Sequence, residues 1–372
     1  MRANNRGTRH QSTLIGACYF IAFSVQTNVL LAAQAPTPDV TKAATPKLQA
    51  ANTASGNSKL LGRIWHNNRD LAVEALAWSP DGKTLATGSW DQKIVLWDVA
   101  KKDINVVLLQ PSDGVQSVSF APDGQSISAA GGDDQWRTWD ISTEEQILSG
   151  KGHTEAVACI AVAPDGQRVL SGGWDKTVRV WDAKSGKIGR VLGGHNGAVV
   201  AVAWSPDGQK FASACWDGTV KIWSAGTWTL ERTLPGHTNM VEAIAWAPDG
   251  KTLASGGWDG VLHLWEMPTG TLKRTYDVGS RIATIAYSPD GRLLAHAGWG
   301  QKVTLRDANS GEEKTIIPAK HWVESLAFAP PLTAANVAAK NIKATPARKP
   351  DQSTLTLAIG DARGAVELWQ IS

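Results

Sequence analysis

The chain has 372 residues with 37 basic and 34 acidic side chains, and 18 tryptophans against three tyrosines and five phenylalanines. Residues 1–35 hold three arginines and no acidic residue, so the rest of the chain has 34 side chains of each sign. That balance lacks the clustered positive charge with which proteins bind nucleic acid, and nucleic acid is excluded as an expected partner. Cys18, Cys159 and Cys215 stand at spacings that fit neither a disulfide framework nor a zinc motif, and no metal or cofactor is expected.

Residues 1–35 have the pattern of a secretory signal. Arginines are followed by an apolar run, Thr13 to Val25, and then by small residues at Ala33-Gln34-Ala35. Cleavage in this region and retention of the apolar run as a membrane anchor both stay open. The protein is therefore expected to be exported, to the periplasm or outside the cell, with membrane contact only through this segment if it is uncleaved.

Residues 36–58 are rich in Pro, Ala, Thr and Ser and offer almost nothing apolar to bury. Such a composition is typical of a disordered linker. The linker is expected to separate residues 1–35 from a single domain that spans 59–372.

The domain repeats one unit, which is seen most completely from Gly193 to Trp223. Alternating apolar residues from Val199 to Trp204 lead into the turn Ser205-Pro206-Asp207-Gly208, and two further strand-like runs follow. Proline at the second turn position sets φ and glycine at the fourth tolerates a positive φ, so this turn joins two antiparallel strands. So small a sheet cannot bury both of its faces alone and needs packed copies of itself.

The copies recur at steps of 41 or 42 residues. Their Pro-Asp-Gly turns begin at Pro80, Pro122, Pro164, Pro206, Pro248 and Pro289. The last strand of each unit ends on Trp97, Trp139, Trp181, Trp223, Trp265, Arg306 and Trp369. A repeat of about 40–45 residues with Gly-His early and Trp-Asp late corresponds to one four-stranded propeller blade.

These residues resemble the WD-repeat β-propeller family. The matching sets are Gly152-His153 with Trp181-Asp182, Gly194-His195 with Trp223, and Gly236-His237 with Trp265. The resemblance covers 59–372 and implies an all-β fold, a seven-bladed β-propeller with four-stranded antiparallel blades.

The resemblance also implies how the ring closes. Leu60 to Trp65 matches the segment that forms the outermost strand of the preceding blade in this family, and the chain ends on a third strand, Val366 to Ser372. The N-terminal strand is therefore expected to complete the last blade and to cover its open edge. That blade has an insertion at 331–353, which is expected to be a tolerated surface loop, with a contact loop for a partner as the alternative.

Three repeats contain a set of four polar and aromatic residues that the resemblance places in a buried hydrogen-bond network. The sets are His153, Ser171, Asp175, Trp181; His195, Ser213, Asp217, Trp223; and His237, Ser255, Asp259, Trp265. A Ser-His-Asp set would suggest a hydrolase, but it recurs three times at blade spacing and always with Trp, which favours a structural role. The first repeat has Thr87, Asp91 and Trp97 without the His, and the second, sixth and seventh are more degraded and are expected to be softer.

One position favours a binding role. On the face where WD propellers most often bind partners, the residue before the turn Asp is Trp90, Trp174, Trp216 and Trp258, and Trp299 holds the same place before Gly300. Gly132 and Ala362 interrupt the series. The first-strand residues expected near this face are Glu74, Gln116, Ala158, Val200, Glu242, Ala283 and Glu324, with Arg281 and Trp322 beside them. Exposed indoles would bind a partner, whereas indoles packed over the neighbouring loop would be structural.

The sequence therefore predicts a non-catalytic scaffold that binds a protein or peptide partner, with a basic or aromatic segment as the expected ligand of the Trp-rich face. The alternative is a secreted propeller enzyme or small-ligand receptor that uses the central channel, for which Glu74, Glu242 and Glu324 are the plausible cluster. A third possibility, an assembly factor of the outer membrane, differs only in its partner.

Overall fold

The computed structural model of the chain describes residues 58–66, 71–109, 114–331 and 354–372. Within these ranges the chain forms 28 strands, arranged as seven four-stranded antiparallel sheets, and no helix. The first strand of each sheet packs beside the first strands of its two neighbours, and the series closes between the last sheet and the first. The predicted seven-bladed β-propeller is confirmed.

The blades follow one another along the chain, apart from strand β1 (Ser58–Trp65), which belongs to blade 7. Blade 1 is β2 (Val73–Trp78), β3 (Thr84–Ser89), β4 (Lys93–Asp98) and β5 (Asp103–Leu109); blade 2 is β6 (Val115–Phe120), β7 (Ser126–Gly131), β8 (Gln135–Asp140) and β9 (Gln146–Lys151). Blade 3 is β10 (Val157–Val162), β11 (Arg168–Gly173), β12 (Val178–Asp182) and β13 (Ile188–Leu192); blade 4 is β14 (Val199–Trp204), β15 (Lys210–Cys215), β16 (Val220–Ser224) and β17 (Leu230–Leu234). Blade 5 is β18 (Val241–Trp246), β19 (Thr252–Gly257), β20 (Val261–Glu266) and β21 (Thr271–Asp277); blade 6 is β22 (Ile282–Tyr287), β23 (Leu293–Gly298), β24 (Lys302–Asp307) and β25 (Glu313–Pro318). Blade 7 is β26 (Val323–Phe328), β27 (Leu355–Asp361), β28 (Ala365–Ile371) and β1.

The Pro-Asp-Gly turns connect the first and second strands of their blades as expected. In blade 4 the Ser205 hydroxyl donates to Asp207 Oδ1 over 2.6 Å and accepts the backbone N–H of Lys210 over 2.9 Å. Gly208 has a φ of 66°, which L side chains rarely adopt. Its missing Cβ would lie 3.8 Å from the Cδ of Pro164 in the preceding blade, so consecutive turns stack around this face of the ring.

The core lies between neighbouring blades. Second strands, and the third strands of blades 1 to 6, contain runs of four or five consecutive buried residues, because each such strand is covered on both sides by adjacent sheets. Trp136, Trp181, Trp265 and Phe211 are less than 2% exposed. Outer strands are different: β13 and β17 each have four exposed residues out of five. Each blade is therefore stabilised mainly by its two neighbours.

The ring closes through the N-terminal strand, as the sequence predicts. β1 pairs antiparallel with β28, from Ser58 opposite Ile371 to Trp65 opposite Ala365. Ser58 is buried and pairs with Ile371, so β1 begins at the residue that was predicted to end the 36–58 linker. Arg63 of β1 also forms an ion pair with Glu367 of β28.

Three predictions, the signal segment, the linker and the surface insertion, concern residues that the structure does not describe. The segments 1–35 and 36–57, and residues 332–353 of the insertion, lie outside the described residues. The strand bounds do place the insertion between the first and second strands of blade 7. Across the described ranges, the structure has no helix of the length and apolar character needed to cross a membrane.

Candidate functional site

The inner strand of every blade has a β-bulge at its second residue. In blade 1 the pairing of β2 with β3 shifts between Val73 and Ala75, which leaves Glu74 as the extra residue. A bulge changes the direction of the extra side chain and is frequent beside functional sites. The seven extra residues are Glu74, Gln116, Ala158, Val200, Glu242, Ala283 and Glu324. They occupy the same level of the ring, and together with Arg281 we call them the channel mouth.

The channel mouth is divided by chemistry. Its charged half comes from blades 5, 6, 7 and 1 and consists of Glu242, Arg281, Glu324 and Glu74, whose charges act on one another. Its apolar half comes from blades 3 and 4 and consists of Ala158 and Val200. Gln116 of blade 2 lies between the two halves along the ring.

Arg281 is held inside the charged half. Its guanidinium pairs with both carboxylate oxygens of Glu242, with Nη2 donating to Oε1 over 2.8 Å. The same guanidinium lies 4.8 Å from the ring centre of Trp258 and 5.0 Å from that of Trp299. The Arg281 and Glu242 side chains are 9% and 7% exposed. In the structure these two side chains contact each other and the two indoles, and their contact with a partner stays a prediction.

Glu74 and Glu324 form the other part of the charged half. Trp90 Nε1 donates to Glu74 Oε1 over 2.8 Å. Among the described residues no side chain or backbone group forms a hydrogen bond with the Glu324 carboxyl. Burial, with a further contribution from the negative charges of Glu74 and Glu242 and against the charge of Arg281, raises the pKa of Glu324 to about 8. Burial also raises the pKa of Glu74, against the hydrogen bond from Trp90 and the charge of Arg281.

The five tryptophans between second and third strands, Trp90, Trp174, Trp216, Trp258 and Trp299, form what we call the rim. All five are half-buried, so they are neither fully exposed nor fully packed. Trp174 and Trp216 of adjacent blades meet edge to face at 4.8 Å between ring centres. Trp258 and Trp299 lie 5.4 Å apart, and Trp299 stacks on Trp322 at 5.1 Å. The backbone fixes each position, as where Trp174 N–H donates to Ala156 C=O over 2.9 Å. The rim is therefore a preorganised aromatic surface that remains partly open to solvent.

The three four-residue sets come together in the way that the resemblance implies. In blade 3, Trp181 Nε1 donates to Ser171 Oγ (2.8 Å), Ser171 Oγ lies 2.7 Å from His153 Nε2, and His153 Nδ1 lies 2.9 Å from Asp175 Oδ2. The corresponding three distances are 2.9, 2.7 and 3.3 Å in blade 4, from Trp223 through Ser213 and His195 to Asp217. They are 2.8, 2.8 and 2.8 Å in blade 5, from Trp265 through Ser255 and His237 to Asp259.

These sets are unsuited to nucleophilic catalysis in the observed arrangement. Ser171, Ser213 and Ser255 are 0% exposed, and each hydroxyl oxygen accepts an indole N–H, so no substrate atom can approach it. Although burial alone raises the pKa of Asp217, hydrogen bonds from Thr219 and from the backbone N–H of Asn196 outweigh it and hold this pKa at about 2. The carboxylate therefore remains ionised. By accepting the Asn196 N–H it fixes the loop that leads into β14, which we call the entry loop of blade 4.

Blade 1 also has a complete set, which corrects the expectation that its histidine is missing. His66 Nδ1 contacts Thr87 Oγ1 at 2.5 Å, His66 Nε2 lies 3.1 Å from Asp91 Oδ1, and Trp97 Nε1 donates to Thr87 over 3.0 Å. The pattern was missed because His66 precedes its aspartate by 25 residues, against 22 in the other blades, and because Trp65 replaces the glycine before it. A histidine directly after an outer-strand segment was the available signal.

Blade 6 replaces the network with another one. His296 stands where blades 3, 4 and 5 have Ser, and Arg306 stands where the other blades have Trp. Arg306 donates to His296 Nε2 over 3.2 Å and to Glu313 over 2.6 Å, and it lies 4.6 Å from the ring centre of Tyr276. Burial and the charge of Arg306 lower the pKa of His296 to about 3, so the imidazole is a neutral acceptor. This blade is therefore cross-linked by polar contacts rather than lacking them.

One grouping in the described part of the chain has the residue types of a metal site. His195, Cys215 and Asp217 offer ligand atoms within 4.8 Å of one another. Burial raises the pKa of the Cys215 thiol to about 12, and Asp217 already accepts hydrogen bonds on both oxygens. A metal would have to displace those bonds and a thiol proton, so the residues do not fit one. Cys159 is equally buried, and its thiol pKa is also raised to about 12.

Comparison with known proteins agrees with this architecture. The family model described as the IFT122 first beta-propeller matches residues 178–372, more than half of the chain. The model described as WD domain, G-beta repeat matches residues 59–98, 105–140 and 144–182. A search of curated proteins found no match.

Proposed function

We propose that this chain, which belongs to the β-propeller family described as the IFT122 first beta-propeller and contains WD domain, G-beta repeats, is a non-catalytic scaffold that binds a peptide segment of a protein partner on its Trp-rich face. WD-repeat propellers generally act as protein-interaction scaffolds. For location we propose export, supported by the arginine and apolar pattern of residues 1–35.

The observation that carries the proposal is the preorganised rim, which lies beside a channel mouth with one charged half and one apolar half. Trp174 and Trp216 are half-buried, fixed against each other, and adjacent in the ring to Ala158 and Val200. Aromatic side chains in such a state gain contact area on binding at little cost in conformational entropy. The charged half lies on the same face, so a segment that combines an apolar side chain with a basic one fits both halves.

The second candidate is an enzyme or small-ligand receptor of the channel. The observation that favours it is the raised pKa of Glu324, because a carboxylic acid that stays protonated near neutral pH can act as a general acid. The described networks supply no exposed nucleophile beside it, which makes binding the better-supported function.

The test is selection of short peptides from a displayed library on the immobilised full chain, followed by affinity measurements on variants. The double variant Trp174→Ala/Trp216→Ala should weaken the selected peptides by about tenfold or more, the usual effect of losing a central aromatic contact. The matched control is Trp228→Ala, since Trp228 is a half-buried tryptophan of blade 4 between β16 and β17, away from the rim. Unchanged affinity in a double variant that melts like its control would refute the proposed face.

A further inference from the structure

We propose that Glu74 and Glu324 form a recognition site for one guanidinium group of the partner segment, so that an arginine side chain is what the charged half of the channel mouth selects. This inference rests on the proposed function and adds the chemistry of the ligand. It follows from a comparison of two blade boundaries within the same ring.

The boundary between blades 5 and 6 shows the site in its occupied form. The bulge residue of blade 5, Glu242, binds a guanidinium that the chain itself supplies, Arg281, immediately before the first strand of blade 6. The two rim residues of these blades, Trp258 and Trp299, cover its faces. A planar cation between a carboxylate and two indoles is a favourable arrangement for arginine.

The boundary between blades 7 and 1 has the same plan without the cation. The bulge residue of blade 7 is again a glutamate, Glu324, and the residue immediately before the first strand of blade 1 is Ala72. Rim residue Ala362 stands in place of Trp258, and Trp90 in place of Trp299. At the position of Arg281, the second boundary has the methyl group of Ala72.

The second boundary also has one carboxylate more than the first. The bulge residue of blade 1 is Glu74, whereas the corresponding residue of blade 6 is Ala283. Trp90 orients the Glu74 carboxylate by a hydrogen bond, and the Glu324 carboxyl has no hydrogen-bond partner among the described residues. The second boundary therefore has two carboxylates and one indole, and no described cation forms an ion pair with either carboxylate.

The charges around Glu324 favour the binding of a cation. The charges that act on Glu324 come from Glu74, Arg281 and Glu242, two negative and one positive. Burial and this negative excess keep a proton on Glu324 near neutral pH, since its pKa is raised to about 8. A guanidinium would favour the ionised carboxylate and displace that proton. Binding should therefore release close to one proton per arginine at pH 7 and strengthen by about tenfold or more from pH 6 to pH 8.

The experiment uses the full chain and a five-residue probe, acetyl-Ala-Ala-Arg-Ala-Ala-amide, with the isosteric and uncharged citrulline peptide beside it. Calorimetry in two buffers of different ionisation enthalpy measures affinity and counts released protons. We expect the arginine peptide to bind with proton release and the citrulline peptide to bind at least tenfold more weakly. Glu324→Gln should abolish the proton release and weaken binding, and Glu145→Gln, an exposed glutamate on the turn between β8 and β9, is the charge-matched control.

A gain-of-charge variant gives an independent arm. Ala72→Arg places an arginine where blade 6 has Arg281, so it should fill the site, raise the melting temperature and abolish binding of the probe. Equal binding of the two peptides, no binding at millimolar probe, or unchanged binding to both Glu74→Gln and Glu324→Gln would overturn the inference. Failure of the proposed function is distinguished because it is judged on Trp174→Ala/Trp216→Ala with the library peptides.

Discussion

Removal of Arg281 should destabilise the propeller strongly although the residue belongs to the proposed binding face. The substitution Arg281→Ala leaves the Glu242 carboxylate, 7% exposed, without its bidentate partner. Loss of one partner of a buried ion pair costs about 3–5 kcal/mol. The guanidinium also lies within 5.0 Å of two indole rings, each contact being worth about 0.5–2 kcal/mol when desolvated. These contributions overlap, so we expect a total loss of about 3–5 kcal/mol and, for a domain of this size, a fall in Tm of roughly 5–8 °C.

The matched control for this variant is Arg168→Ala. Arg168 also lies over two indoles, at 5.2 Å from Trp204 and 5.1 Å from Trp228. Its ion pair with Asp165 is solvent-exposed, with side-chain exposures of 29% and 41%, and surface pairs contribute roughly 0–1 kcal/mol. Chemical denaturation of both variants at one pH gives the comparison.

The double variant Arg281→Met/Glu242→Gln removes both charges together and should recover much of the stability lost in Arg281→Ala. If Arg281→Ala is no more destabilising than Arg168→Ala, or if the double variant recovers nothing, the charged half of the mouth is not organised by this pair and the reasoning is refuted.

Four further predictions concern other parts of the chain. Deletion of Ser58–Trp65 should expose the edge of β28, abolish the cooperative melt and produce soluble aggregates by size-exclusion chromatography; a melt like that of the full chain would refute closure. His66→Ala should cost about 1–3 kcal/mol in urea unfolding, as much as His237→Ala, because each removes one hydrogen bond from a buried hydroxyl and one from a carboxylate. The pKa of His296 is lowered from 6.5 to about 3, so its contribution to stability should be complete above pH 6.5 and lost as the pH falls towards 3, and His296→Gln should flatten that part of the stability curve. N-terminal sequencing should find a mature start within 34–36, or else the protein in membranes; a soluble product that starts at residue 1 would contradict export.

The sequence predicts the fold well because its turn signals are local. Proline and glycine in Ser205–Gly208 determine the turn conformation by themselves, and their 42-residue spacing then defines the blades. The seven bulge positions of the channel mouth were also predictable, since each is the second residue of a first strand.

The contacts between blades were not predictable from one chain read in order. Arg281 and Glu242 are 39 residues apart, and only the packing of two inner strands brings them together. The sequence shows their charges but not that they neutralise each other. His66 was missed for a different reason, because a longer loop changes its distance from Asp91 while the fold keeps the same hydrogen bonds. The half-burial of the rim tryptophans likewise depends on neighbours in adjacent blades, such as Trp174 with Trp216.

The most direct test of the central claim is amide hydrogen exchange of the full chain with and without a library-selected peptide. The account predicts slower exchange at the rim turns and entry loops of blades 3 and 4, where Trp174 N–H is bonded to Ala156 C=O and Trp216 N–H to Ala198 C=O. Exchange at the turns 164–167 and 206–209 on the opposite face should not change. Slower exchange confined to those opposite turns, or to the outer strands β13 and β17, would contradict the assignment of the Trp-rich face as the binding surface.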